Sequence, residues 1–251
     1  MATRLTRALA LLSLTPSTAA FLASPPPIRH RTAALNRPLK ISCQAAALCD
    51  EVLELKEELL EIIDEEVEEG SRGVGAPPEV AEDLLEIVEE LDDDGRGALE
   101  WLDNPLLAGT WRLIYTSSRT FANNEGLSGY ARDLGGVSTP ELLMSLETQF
   151  RRITFEEPLS LEEGSFVALV GKFANAKSVK VECTWSAQGE QLVISSQRVV
   201  VGANSWEPAD RQDKAVRTLG ASRPVFLDDE ILVLRSQPDY VCWIFERANM
   251  P

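Results

Sequence analysis

The chain has 251 residues, a net charge of −16 and a hydrophobic content of 44%. That is enough for one sizeable core. No apolar run reaches the roughly 18 residues of a membrane-spanning helix, and the mature part has no basic patch of the size a nucleic-acid footprint needs. Charge is divided along the chain: residues 1–49 hold no carboxylate, whereas residues 50–103 hold 22 of the 40.

Residues 1–44 read as a targeting presequence. Arg4 and Arg7 precede the apolar run from Ala8 to Leu14, and small residues follow from Ser17 to Ala20. That is the order of a secretory signal peptide. Phe21 to Gln44 is then rich in Pro, Ala and Arg and free of acid, the composition of an organelle transit peptide. A two-part presequence (signal peptide 1–20, transit peptide 21–44) resembles that of algae with complex plastids. A one-part transit peptide is the alternative, and either reading ends in a plastid.

Residues 49–103 are expected to form an acidic helical arm. Val52, Leu55, Leu59, Ile62 or Ile63, and Val67 recur at helical spacing, and Gly70-Ser71-Arg72-Gly73 stops the run. A second helix opens at Pro77-Pro78 with the stripe Val80, Leu84, Ile87, Val88 and Leu91. The other faces of this hairpin are almost all Glu and Asp: a solvated face, or a docking surface for a basic partner. Asp92, Asp94 and Gly95 imitate the start of a calcium loop, but the twelfth position is Trp101 where a bidentate Glu is required.

Residues 104–248 have a different texture. Strands are predicted at 109–116, 150–156, 166–173, 178–185, 191–201, 230–235 and 240–246, with Gln188-Gly189 as a hairpin turn. Ala203–Arg217 and Leu127–Leu134 read as loops. The expected fold is therefore mainly β: an antiparallel barrel or sandwich preceded by a short acidic helical hairpin. Gly109-Thr110-Trp111 is similar to the opening of lipocalins, in which a late Arg crosses the Trp at the closed end. Arg235 and Arg247 are the candidates for that contact. Trp111, Phe150, Phe166, Val181, Trp185, Ile194 and Trp243 are expected to face inward, lining a ligand cavity or filling a core.

Little in the sequence points to catalysis. The single His is His30, within the presequence, which excludes from the mature chain any triad or metal site that needs histidine. No Cys-x-x-Cys pair occurs; Cys183 and Cys242 lie in apolar runs and read as core thiols. Asp228-Asp229-Glu230 reads as a solvated turn entering a strand. No catalytic residue, cofactor or metal ligand is assigned.

Three blocks resemble the plastid lipid-associated protein family, also called plastoglobulins or fibrillins. They are the acidic prefix from Leu53 to Ile63, the stretch from Asn104 to Ser118 containing Leu107-Ala108-Gly109-Thr110-Trp111-Arg112-Leu113-Ile114-Tyr115-Thr116-Ser117, and Phe226-Leu227-Asp228-Asp229-Glu230-Ile231 with Arg235 following. Phe226, Leu232 and Ser236 depart from the usual Tyr, Arg and Gly of the last block, which points to an algal branch. The resemblance implies a lipocalin-like barrel at plastoglobules or thylakoids. It implies a non-catalytic protein that binds or organises a hydrophobic small molecule or lipid (prenyl quinones, carotenoids, fatty acids). A scaffold for a plastid enzyme of quinone or lipid metabolism is the alternative.

Overall fold

The computed structural model describes residues 50–93, 101, 104–134, 136–161, 176–189, 191–236 and 241–248. The presequence expected at 1–44, the end of the second helix expected at Gly95 and the strand expected at 166–173 lie outside these residues. Two helices open the described chain, α1 (Asp50–Glu66) and α2 (Pro78–Asp93). The strands are β1 (Gly109–Thr116), β2 (Val137–Ser138), β3 (Leu143–Glu147), β4 (Arg152–Pro158), β5 (Ser160–Leu161), β6 (Ser178–Gln188), β7 (Gln191–Val201), β8 (Asn204–Trp206), β9 (Ser222–Leu227), β10 (Ile231–Ser236) and β11 (Cys242–Arg247). Between them lie α3 (Arg119–Asn124), α4 (Tyr130–Leu134) and α5 (Asp210–Gly220).

The strands pair antiparallel in the order β6-β4-β3-β1-β11-β10-β9-β7-β8, and β6 also pairs with β7. Among the described residues, eight strands thus close into a ring. The seam between β7 and β9 is a single pair, Leu192 with Ser222. The register gives the ring two ends. Gly109, Arg152 and Arg247 lie at one, called lower below; Thr116, Pro158, Ser178 and Ser236 lie at the other, called upper. Inward residues of alternate positions form one apolar cluster, including Trp111, Phe155, Val181, Ile194, Leu232 and Phe245. Phe121 of α3 and Ala215, Val216 and Leu219 of α5 belong to the same cluster.

A second cluster lies on the outside. The stripes of α1 (Val52, Leu59, Ile63) and α2 (Val80, Leu84, Ile87, Val88, Leu91) pack with Val225, Phe226, Val233 and Ile244. Strand β10 is consequently buried along its whole length. Full burial of each such aliphatic side chain stabilises by about 1.5–3 kcal/mol, so the arm is a structural layer. Charges pin it. Lys56 of α1 donates to Asp228 Oδ2 at 2.6 Å and also pairs with Glu230. Arg235 of β10 donates to Glu89 at 2.5 Å and to Asp92 at 3.0 Å, and Arg223 pairs with the same Asp92.

Several expectations are corrected. Residues 228–230 do form a turn entering β10, with Asp229 and Glu230 exposed, but Asp228 is largely buried, its side chain 13% exposed against Lys56. The loop expected at 203–217 contains β8 and α5, and the one at 127–134 contains α4. Strands β3 and β9 were not predicted: β3 is only five residues long, and β9 carries Pro224 in its middle.

Removing Lys56 leaves Asp228 with its side chain 13% exposed and without its cation. Lys56→Ala is expected to destabilise by about 2 kcal/mol, read as a lower urea midpoint at unchanged slope. A change under about 0.5 kcal/mol, the scale of an exposed pair, would show that the arm is held by its apolar stripes alone.

Candidate functional site

The lower end of the ring is closed by an aromatic–cation stack. Trp111 is fully buried and donates its indole N–H to Leu107 O at 3.1 Å. Arg247 lies over that ring, its Cζ 3.9 Å from the centroid, and donates to the carbonyls of Ala108 and Leu106. Gly109 explains itself here: at φ 137 a Cβ would collide with Arg247 Nη1. Arg235 makes no part of this contact. Its position on β10, at the upper end, turns it outward to α2.

The rim around this closure carries an exposed aromatic and two cations, with exposed acids beside them: Glu147 at the end of β3, and Asp229 and Glu230 in the turn from β9 to β10. The turn from β3 to β4 places Phe150 at its tip, 66% exposed, with Arg151 and Arg152 exposed beside it. The expectation that Phe150 faces inward is therefore overturned. Strand register begins only at Arg152, and the turn closes with Arg151 N–H on Thr148 O and Arg151 at φ 48. Leu106, on the same rim ahead of β1, is 37% exposed.

The upper end holds the buried polar groups. Glu157, at the end of β4, accepts from the N–H groups of Leu127 and Ser128 at 2.5 and 2.9 Å. Burial pushes its carboxyl above the usual range; those hydrogen bonds and the charge of Arg72 oppose the shift without cancelling it. Arg72 comes from the link between α1 and α2. Its carbonyl accepts from Thr116 N–H at 3.0 Å, which ties the link to β1, and its guanidinium lies over Phe121 at 5.0 Å. Phe121 in turn meets Trp243 edge-on at 5.9 Å. Arg72 Nε and Nη1, Asn124 Nδ2 and Trp243 Nε1 are buried donors without an acceptor. The two segments expected as loops meet here: Gln212 of α5 donates to Ser128 O at 2.8 Å, and Trp206 donates to the Tyr130 hydroxyl at 3.0 Å.

Of the residues expected to face inward, Trp111, Val181, Trp185, Ile194 and Trp243 are buried in the ring's cluster, and Phe166 lies outside the described residues. Large side chains fill much of that interior. Arg72, Asn124 and Glu157 escape the sequence reading. The one available signal was a lone base in the Gly- and Pro-rich link between two acidic helices.

The PAP_fibrillin family model matches residues 53–183, just over half of the chain. The chain belongs to the PAP_fibrillin family. No curated protein matches it. A DUF4847-family protein from Bacteroides vulgatus ATCC 8482, solved as a crystal structure, aligns with 59% of this chain and 97% of its own at 11% identity and a TM-score of 0.29, too slight to bear on fold or function. In this PAP_fibrillin protein the matched span runs from α1 into β6. It contains Arg72, Trp111, Phe150 and Glu157, while Arg247 and Trp243 lie beyond it.

A double-mutant cycle of Trp111→Leu with Arg247→Met is expected to return a coupling of about 0.5–2 kcal/mol in urea unfolding, the range for a cation on an indole face. Additive effects would mean that Arg247 acts only through its carbonyl contacts. For Glu157, the folded state keeps its proton to higher pH than the unfolded state. Its contribution is present below the unfolded value of about 4.3 and falls as pH rises toward the folded value. Glu157→Gln should therefore lose less stability than wild type between pH 4 and 7, compared by urea midpoints. The acids of the arm are common to both proteins and cancel in the difference.

Proposed function

We propose that this protein is a non-catalytic, lipocalin-like barrel that binds or organises isoprenoid and other neutral lipids at plastoglobules or thylakoids. The observation that carries the reading is the lower rim, with Phe150 66% exposed between a closed, aromatic-filled ring and two exposed arginines. An exposed aromatic flanked by cations suits a lipid surface: the ring enters the acyl region, and each Arg adds about 1 kcal/mol toward anionic headgroups. The acidic arm covers other strands and does not oppose that approach. The non-catalytic part of the reading is supported by the reactive groups being occupied or hidden. Burial pushes the Cys183 thiol up to about 12 and raises that of Cys242, and both Glu157 oxygens are taken by backbone N–H.

A second reading, a scaffold for a plastid enzyme of lipid or quinone metabolism, is favoured by the arm. Its apolar stripes are spent on the barrel, and Glu54, Glu57, Glu58, Glu61, Glu82 and Glu86 are left exposed. That face suits a basic protein.

Flotation with triacylglycerol droplets coated in anionic plastid lipid separates the two. Phe150→Ser should lower the droplet-bound fraction about tenfold, from the roughly 1.5–3 kcal/mol of one buried aromatic side chain, with an unchanged unfolding midpoint. Glu57→Lys with Glu61→Lys should not lower it. Equal flotation of wild type and Phe150→Ser would overturn the rim and move the weight to the scaffold.

A further inference from the structure

Between the C-terminal half of α1, the link that follows it and the outer side of β1 lies an open cleft of about 810 Å3. Leu60, Ile63, Val67, Ile114 and Pro140 give it apolar walls, and Asp64, Glu68, Glu69 and Glu141 line it with acid. Its two arginines do not neutralise that acid: Arg112 is paired with Glu246, and Arg72 lays its guanidinium over Phe121. The four carboxylates make no ion pair among the described residues. A groove between α1 and α2, lined by Glu58, Asp83, Glu86 and Glu90, has acid with little apolar floor. The cleft beside β1 has both. A hydrocarbon gains nothing from its acid, and a purely basic segment gains nothing from its walls. Its occupant has to bring an apolar group and positive charge together.

The chain itself carries that combination. At the tip between β3 and β4, Phe150 stands 66% exposed and is followed by Arg151 and Arg152. Both arginines are exposed and make no ion pair among the described residues. Glu147 lies opposite Arg152 in register, so the tip sets one acid against two bases. Of the acids in the turn from β9 to β10, Glu230 is held by Lys56. The tip is also fixed in shape: Arg151 holds φ 48, and its N–H donates to Thr148 O. A rigid tip presents its aromatic ring with little backbone freedom left to lose on docking.

We infer that the Phe150 tip of one copy docks in this cleft of a second copy, its ring against the apolar walls and Arg151 and Arg152 on the acids. Tip and cleft are different surfaces, so the contact is heterologous, and each end of a pair keeps one surface free for a further neighbour. One aromatic anchor and two charges make a small interface, so the association is weak and depends on concentration. Wherever the rim also engages lipid, droplets and a second copy compete for the same tip.

Sedimentation velocity of the full chain tests it, at about 0.15 M salt, where repulsion between two acidic copies is screened beyond about 8 Å. Wild type should associate with a Kd on the order of 100 μM. Phe150→Ser, at the tip, and Glu68→Lys with Glu69→Lys, in the cleft, should each weaken association at least about tenfold. Glu57→Lys with Glu61→Lys makes the same change of net charge on the exposed face of α1, outside the cleft, and should associate as wild type does. The deciding arm mixes the two defective proteins. Each should be monomeric alone, and together they should form a one-to-one complex, because one keeps the cleft and the other the tip. A mixture that stays monomeric, or equal weakening by the two lysine pairs, would overturn the inference. Wild type that stays monomeric at about 1 mM would overturn it too and leave the cleft to a foreign basic partner. Flotation without self-association removes the tip-in-cleft contact and keeps the rim reading; self-association without flotation does the reverse.

Discussion

The burial of β10 on both faces is the constraint on which the remaining architecture depends. A strand in an eight-member ring has one face for the interior and one for water. Here Leu232 and Leu234 take the interior, and Ile231 and Val233 point outward with no less apolar character. Left open, that outer face would join those of β9 and β11 in an apolar patch of the kind that drives association. The helical arm exists to cover it. Its two stripes supply the apolar side, and the remaining surface of each helix is free to be acidic because nothing packs there.

Where the acidic arm meets the ring of strands, the structure concentrates cations at the junction. Lys56 is the one base of α1 and is used as a bolt to Asp228 and Glu230. Arg223 and Arg235 converge on Asp92 from two strands. The link between the helices then inserts Arg72 against β1, with Gly73 passing so close to Tyr115 that a Cβ would lie 2.6 Å from its ring. Each base of the described arm thus makes a contact across the layer boundary. The net negative charge of the arm conceals how specifically its few positive charges are spent.

How much was legible follows from the kind of signal involved. The two helices were readable because their stripes keep helical period, and the long strands β6 and β7 because alternation and Gly189 mark a hairpin. Arg247 was readable as a candidate partner of Trp111, though not separable from Arg235, since the choice rests on which end of a sheet each occupies. Phe150 was misread because an aromatic beside a strand looks the same in sequence whether it starts the strand or tips the turn before it. Helix α5 was lost for a physical reason: its buried residues Ala215, Val216 and Leu219 are few and flanked by charge. The upper polar cluster was illegible because Arg72, Asn124 and Glu157 come from three distant segments, each ordinary in its own neighbourhood.

The ring is not equally strong all the way round. Strands β6 and β7 share ten partnered positions, while β7 and β9 share one. At that seam the weight passes to α5, packed so close to β7 that a Cβ on Gly220 would lie 2.9 Å from Ile194. A helix laid across a nearly unzipped seam makes a latch. Detachment of α5 would part the ring between β7 and β9 and leave β10, clamped from both sides, undisturbed. The ring is therefore weakest in backbone pairing at the seam that α5 covers.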